Sequence, residues 1–198
     1  MYSVVAIGTS WGGLSAMTKL LSGLPHDFPV PIVIVQHRAS DSDLLLPQLL
    51  QDSTELTVCE IEDKDALTPG RAHVAPANYH VMVEPGYVSL TTEEPVRFSR
   101  PSIDVMFDSA ADTYGAAAIG VVLTGANEDG ARGLARIVMR GGRALVQDPK
   151  TAEIPVMPRA AIKAVPSAEV VPLDRLASRL VELSRGYSKP RAASRTAV

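Results

Sequence analysis

The sequence predicts an α/β domain with a doubly wound, mainly parallel sheet that is flanked by helices and carries a small antiparallel hairpin. Three observations predict this fold class. Apolar runs at residues 3–7, 31–35 and 118–123 lack alternating polar residues, which indicates strands buried on both faces. Segments with helical spacing separate the runs, as in a sheet covered by helices on both sides. The length of 198 residues fits a single domain.

The first half of the chain alternates strand-like and helix-like segments. The first apolar run precedes apolar residues at helical spacing over residues 14–21, and a nearby Gly and Pro end that helix. After the second run, Ser40 or Asp41 is expected to cap a leucine-rich helix. Pro47 lies inside this pattern, so the helix is expected to start late or to kink.

Short β segments and turns replace this alternation between residues 58 and 90. Residues 80–83 and 87–90 flank Glu84-Pro85-Gly86, which predicts a hairpin, and we expect both His73 and His80 in the hairpin region. Beyond it the pattern returns to alternation. The remaining predicted elements are helices over residues 101–110, 130–140, 157–164 and 173–184, and a strand over residues 144–147.

Composition argues against several classes of protein. The net charge of −3 gives no electrostatic reason to bind nucleic acid or anionic lipid. No run reaches the roughly 18 apolar residues of a membrane helix, and no leader precedes the first strand. We therefore expect a cytoplasmic protein without membrane insertion. Cys59 is the only cysteine, which excludes an intrachain disulfide, and no metal-ligand spacing is present.

Three predicted strands each deliver one polar residue at the carboxyl end. Ser10 follows the first, His37 follows the second, and Asp129 lies just beyond the third. Because the carboxyl ends of parallel strands share one edge, these side chains are expected to lie close together where ligands bind. A serine, a histidine and an aspartate can form a hydrolase triad. In such a site the histidine activates the serine and the aspartate orients the histidine.

The glycine loop around Ser10 has three interpretations. A dinucleotide site would need a middle glycine where Ser10 stands and a carboxylate after the second strand, where Gln36 and His37 stand. Residues 8–12 instead satisfy G-x-S-x-G, the pattern of a nucleophile elbow. The order Ser10, His37, Asp129 differs from the usual order in α/β-hydrolases, although the same triad recurs in other orders. In the third interpretation Ser10 only caps the following helix.

Taken together, motifs spread over residues 3–184 resemble the catalytic domain of chemotaxis receptor methylesterases, the CheB type. The order and spacing of the motifs carry this resemblance. They are residues 7–13 around Ser10, residues 35–37, residues 73–76 with His80, residues 100–107, residues 123–130, Gln147-Asp148 and residues 157–161.

The resemblance implies hydrolysis of glutamate γ-methyl esters on the cytoplasmic helices of chemoreceptors, together with deamidation of receptor glutamines. It implies Ser10 as the nucleophile, His37 as general base and acid, and Asp129 as the residue that orients His37. The backbone N–H groups of Trp11 and Ala126 would form the oxyanion hole. The methylated receptor is then the protein substrate, and no cofactor is required.

The sequence departs from the family pattern near the expected site. Trp11 replaces a common Thr, Arg38 replaces a common Met, and Ala126-Asn127 replaces Met-Gly. Typical members also carry an N-terminal receiver domain, whereas this sequence starts at the first strand. Three alternatives follow: constitutive activity, control by a separate regulatory partner, or use in another signalling array.

Two other functions stay open at the level of the sequence. They are a carboxylesterase acting on other substrates and a non-enzymatic partner-binding module that keeps the fold. The expected boundaries are a methylesterase domain over residues 1–184 and a basic, disordered tail over residues 185–198.

Overall fold

A computed structural model describes residues 2–37 and 45–185 of the chain. Within these residues the backbone forms nine strands and six α-helices. The strands are β1 (Val4–Thr9), β2 (Ile32–Gln36), β3 (Thr57–Glu60), β4 (Arg71–Val74), β5 (His80–Glu84), β6 (Tyr87–Thr91), β7 (Ala118–Val122), β8 (Arg143–Gln147) and β9 (Glu169–Val171). The helices are α1 (Gly13–Leu21), α2 (Leu45–Gln51), α3 (Ile103–Tyr114), α4 (Ala131–Met139), α5 (Val156–Ala164) and α6 (Leu173–Ser184).

Seven strands form one parallel sheet in the order β3-β4-β2-β1-β7-β8-β9, and β5 pairs with β6 as a separate antiparallel hairpin. The predicted fold class is confirmed. The strand β1 lies at the centre, with β2 on one side and β7 on the other. The strands that follow β1 as far as β4 lie on one side of it, and β7, β8 and β9 lie on the other, so β1 borders the topological switch point of the sheet. In open α/β sheets ligands bind at such a switch point, beyond the carboxyl ends of the strands.

The sheet separates two apolar layers, and β1 contributes to both. Val4 and Ala6 point into one layer, and Val5 and Ile7 point into the other. The layer that contains Val4 is completed by α3, α4, α5 and the hairpin, while the layer that contains Val5 is completed by α1, α2 and α6. This two-sided burial explains why the central strands are continuously apolar.

The structure corrects two expectations about the β segments. Residues 71–76 do not belong to the hairpin region, because β4 is a buried strand of the main sheet between β2 and β3. His73 therefore lies in the main sheet, whereas His80 begins the hairpin strand β5. The short edge strand β9 was not predicted. Its three residues pair with β8 but are too few to show a hydrophobic pattern.

The leucine-rich helix is present as α2, and Pro47 lies within it. The late start or kink expected at Pro47 stays a prediction, because the residues before Leu45 lie outside the described part of the chain. The expected caps, Ser40 and Asp41, lie outside the described residues, as does the tail after Arg185. Among the described residues no helix is long and apolar enough to cross a membrane.

Candidate active site

Ser10 lies in the loop between β1 and α1, and hydrogen bonds fix this loop to the strands on both sides. The Ser10 N–H donates to the Thr124 carbonyl at 3.0 Å, and the Gln36 side-chain amide donates to the Ser10 carbonyl at 2.8 Å. Gly12 has φ of +76°, and a Cβ added there would lie 2.8 Å from Cβ of Glu153. Both the backbone conformation and the space therefore require glycine two residues after Ser10.

Asp129 lies between β7 and α4 with only 3% of its surface exposed, and its carboxylate oxygens accept hydrogen bonds from several donors. Its Oδ1 accepts hydrogen bonds from the Ser102 hydroxyl and from the N–H groups of Asp104 and Gly130, each at 3.0 Å. Its Oδ2 accepts from the Ile103 N–H at 2.7 Å and contacts His37 Nε2 at 2.8 Å.

This donor shell determines the charge of Asp129. Burial alone would raise the pKa of the carboxyl group, because a low-dielectric interior disfavours the charged form. The hydrogen bonds from His37, Ile103 and Asp104 outweigh burial, and they hold the pKa of Asp129 below its ordinary value. Two of these donors are N–H groups in the first turn of α3, where the helix dipole also favours an anion. Asp129 is therefore ionised at neutral pH.

Asp104 and Asp129 form reciprocal hydrogen bonds with the starts of α4 and α3. Asp129, which precedes α4, accepts N–H groups at the start of α3, whereas Asp104, in the first turn of α3, accepts the N–H groups of Gly130 and Gly133 at the start of α4. The distances from Asp104 Oδ1 to these two nitrogens are 3.0 and 2.8 Å. Burial, together with the nearby charge of Asp129, raises the pKa of Asp104. The two helices are thus joined at the candidate site by two buried carboxyl groups.

His37 directly follows β2, and its ring is held on two sides. Nε2 lies 2.8 Å from Oδ2 of Asp129, and Nδ1 lies 3.0 Å from Nδ2 of Asn127. The His37 N–H donates to the Thr9 carbonyl at 3.1 Å, which ties the end of β2 to the end of β1. The fold therefore brings His37 and Asp129 into contact at the switch point of the sheet, although 92 residues separate them in the chain.

Ser10 and His37 line the same cavity of about 470 Å³, together with Trp11, Gln36, Glu153 and the first residues of α1. Within the described part of the chain the Ser10 hydroxyl makes no hydrogen bond, to His37 or to any other residue. Trp11 is 66% exposed at the cavity, and its indole N–H donates to the Glu153 carboxylate at 3.1 Å. The cavity thus has a reactive hydroxyl, an imidazole and an aromatic wall.

The two backbone groups expected to bind an oxyanion are available. Across residues 2–37 and 45–185, the N–H groups of Trp11 and Ala126 donate to no acceptor, whereas those of Ser10 and Gly125 donate to backbone carbonyls. Trp11 also precedes the N-terminus of α1, where the dipole favours negative charge. The oxyanion hole at Trp11 and Ala126 stays a prediction, and free donors at both positions are what it requires.

The sequence profile of the CheB methylesterases matches residues 5–180. The chain belongs to the CheB methylesterase family. This membership places it among the carboxylic ester hydrolases. In the CheB fold described above, the three residues expected from the sequence all lie at the carboxyl edge of the sheet.

Individual relatives agree with the family match. A Leptospira interrogans protein named as a protein-glutamate methylesterase/protein-glutamine glutaminase is 44% identical over 191 residues, covering 96% of this chain and 99% of that protein. The methylesterase FrzG of Myxococcus xanthus is 38% identical, and the match covers 91% of this chain but 54% of FrzG. The crystal structure of the Thermotoga maritima CheB catalytic domain superimposes with a TM-score of 0.88 at 32% identity, covering 92% of this chain and 99% of that domain.

Other residues of the candidate site were not assigned roles from the sequence. Ser102 and Asp104 lie in a motif that supports the resemblance, and the structure shows that they hold Asp129 and the start of α4. The contact of Asn127 with His37 was also missed, because nothing in the sequence indicates it. Arg38 lies outside the described residues. Among the residues described, no group of three or more acidic, histidine or cysteine side chains could hold a metal.

Proposed function

We propose that this chain hydrolyses glutamate γ-methyl esters on the helices of chemoreceptor-like proteins, with Ser10, His37 and Asp129 as its catalytic triad. The observation that carries the proposal is the 2.8 Å contact between His37 Nε2 and Asp129 Oδ2 beside the cavity that Ser10 lines. An ionised aspartate on one ring nitrogen of a histidine is the arrangement that makes the other nitrogen a base. The names of the Leptospira and Myxococcus relatives support the same substrate.

The proposed reaction has two steps. His37 takes the proton of the Ser10 hydroxyl while Oγ bonds to the ester carbonyl carbon, and the negative oxygen is bound by the N–H groups of Trp11 and Ala126. The intermediate then collapses, the bond to the methoxy oxygen breaks, and methanol leaves with the proton from His37. In the second step water attacks the acyl-serine, again with His37 as base, and releases the glutamate carboxylate and the Ser10 hydroxyl.

The same site supports deamidation of glutamine side chains. The acyl-enzyme formed from a γ-amide is identical to that formed from the methyl ester, and ammonia leaves in place of methanol. The glutaminase part of the Leptospira relative's name supports this second activity. The proposed substrates lie on cytoplasmic receptor helices, so the proposal also places the enzyme in the cytoplasm.

Methanol release from a methylated receptor tests the proposal. Ser10→Ala removes the nucleophile and is expected to reduce the rate to background, whereas His37→Ala should reduce it on the order of a thousandfold or more. Ser15→Ala is the matched control, because Ser15 lines the same cavity but is exposed in the first turn of α1. Equal methanol release from the wild type and Ser10→Ala would refute the proposal.

A general esterase is the competing function, and the same proteins test it. Hydrolysis of small soluble esters without methanol release from the receptor would favour the general esterase. Ser10→Ala should abolish activity on both kinds of substrate if one site performs both reactions.

A further inference from the structure

The side chain of Asn127 contacts the ring nitrogen of His37 that faces away from Asp129. Asn127 Nδ2 lies 3.0 Å from His37 Nδ1, and Asn127 itself is half-buried in the loop between β7 and α4. Asn127 stands where the family pattern quoted above has glycine, which has no side chain to make this contact. Its chemistry follows from the donors and acceptors around it.

The orientation of the Asn127 amide is fixed by a backbone group. Asn127 Oδ1 accepts a hydrogen bond from the Asp129 N–H at 3.1 Å, and a backbone N–H can only donate. The nitrogen of the amide must therefore be the atom that faces His37. An amide NH₂ also only donates, so His37 Nδ1 must accept and must carry the lone pair. The neutral ring then has its proton on Nε2, where it is donated to Asp129.

This protonation pattern has a consequence for Ser10. Nε2 is committed to Asp129, so Nδ1 is the one ring atom that can accept a proton from the Ser10 hydroxyl. That lone pair is already occupied by Asn127, and the Ser10 hydroxyl makes no hydrogen bond within the described residues. We propose, resting on the esterase function above, that Asn127 restrains this enzyme by competing with Ser10 for Nδ1 of His37. The amide must turn away before Ser10 can be deprotonated.

The Asn127 amide also affects the step after proton transfer, when the His37 ring carries the proton from Ser10. Once Nδ1 has taken the proton from Ser10 it becomes a donor, so the donor-only NH₂ group of Asn127 cannot return to it until the proton has left. The charged groups near the ring do not contact Nδ1: Asp129 contacts Nε2, Asp104 accepts from the Gly130 N–H, and Glu153 accepts from the Trp11 indole. Among the described residues, Asn127 is thus the group that contacts Nδ1 and competes with Ser10 for it.

Two substitutions at Asn127 give opposite expected results. Asn127→Ser keeps an oxygen for the Asp129 N–H and removes the amide that reaches His37. We expect labelling of Ser10 by a fluorophosphonate probe to rise about three- to tenfold, the effect of losing one competing hydrogen bond. Asn127→Asp keeps the shape and the acceptor but places a carboxylate at Nδ1. It should hold a proton there and slow labelling at pH 7 by at least about tenfold, the low end of what a general base supplies.

The pH profile distinguishes this restraint from a structural role of Asn127. In Asn127→Asp, labelling should recover as the pH is raised, so the acid limb of the profile moves to higher pH. Glu128→Gln, an exposed neighbour in the same loop, is the control and should leave both the rate and the profile unchanged. Slower labelling of both Asn127 variants, or wild-type speed of Asn127→Asp at pH 7, would overturn the proposal.

A measurement that does not need activity separates this inference from the esterase function. The imidazole ¹⁵N resonances of His37 should show Nδ1 unprotonated in the resting wild type and protonated in Asn127→Asp at pH 7. A protonated Nδ1 in the neutral wild-type ring would overturn the inference. Absence of methanol release from every variant, with the unprotonated Nδ1 observed, would instead refute the esterase function and leave the Asn127–His37 contact established.

Discussion

Replacement of Asp129 by asparagine tests whether this carboxylate both orients His37 and joins α3 to α4. Three donors face Oδ1 and two face Oδ2, so the amide oxygen will stay on the side with three donors. The new NH₂ group then faces the Ile103 N–H and His37 Nε2. For His37 to accept from this group, its proton must move to Nδ1, where the Asn127 amide and Ser10 need a lone pair.

The expected losses of stability and of kcat in Asp129→Asn follow from these contacts. Hydrogen bonds to charged groups contribute about 1.5–3 kcal/mol each. The variant loses one such bond, from Ile103, and weakens the others, so we expect its free energy of unfolding to fall by about 3 kcal/mol. At about 2–4 °C per kcal/mol for a domain of this size, Tm should fall by about 6–12 °C. The wrong histidine tautomer should lower kcat on the order of 10⁴-fold.

The pH dependence of stability gives a second readout of Asp129. Its pKa is lowered in the folded chain, so its contribution to stability is complete above the ordinary value of 3.8 and is lost as the pH falls through the lowered value. The difference in unfolding free energy between the wild type and Asp129→Asn should therefore narrow below about pH 3.8.

Thermal unfolding and methanol release measure these effects on the same proteins. Asp108→Asn is the control, because Asp108 on α3 forms a partly exposed ion pair with Arg132 on α4, and exposed pairs contribute about 0–1 kcal/mol. An Asp129→Asn variant with wild-type Tm and a kcat within about tenfold of wild type would refute the reasoning, since an orienting aspartate is expected to cost far more.

Three further predictions concern groups around and beyond the site. Trp11→Ala should change Tm by less than about 2 °C, because the hydrogen bond from the Trp11 indole to Glu153 is exposed to solvent. The same variant should raise KM for the receptor more than KM for a small ester, and equal changes in the two KM values would contradict this. Burial raises the pKa of Cys59, so iodoacetamide should alkylate the folded chain far more slowly than the unfolded chain at pH 7.5; equal rates would contradict this. Burial also raises the pKa of Asp104 above its ordinary value of 3.8. The free energy of unfolding of the wild type should therefore fall as the pH rises from the ordinary pKa through the raised pKa, because the buried carboxyl group must then ionise. In urea unfolding, Asp104→Asn should gain stability relative to the wild type between pH 4 and 7, and a constant difference would contradict this.

The fold could be predicted where sequence patterns are long and the environment is symmetric. β1, β2 and β7 are buried on both faces, so continuous apolar runs were sufficient to predict a parallel sheet. β4 was assigned to the wrong region because its four residues lie among prolines and glycines that resemble hairpin turns. Its true position depends on pairing with β2 and β3, which are distant in the chain.

The candidate site also contains residues that could be predicted from the sequence and contacts that could not. Ser10, His37 and Asp129 could be predicted because each follows a strand, and parallel strands bring such positions together. His37 was expected as a partner of Asp129, but the other four donors were not. Three of them come from residues 102–104 and reach the carboxylate only when α3 packs beside α4. The role of Asn127 was hidden for the same reason, since its amide meets His37 only in the folded chain.

The reciprocal hydrogen bonds of Asp104 and Asp129 with the starts of α4 and α3 show which residues the fold itself needs. Ser10 is needed only by the proposed reaction. A chain of this fold could lose Ser10 and still keep its two helices joined, because the serine side chain makes no hydrogen bond in the described residues. Loss of Asp129 would unpair donors at the start of α3 whether or not an ester is ever bound. When related sequences are sorted into enzymes and inactive copies, the aspartate therefore reports that the domain folds, and the serine reports that it can react.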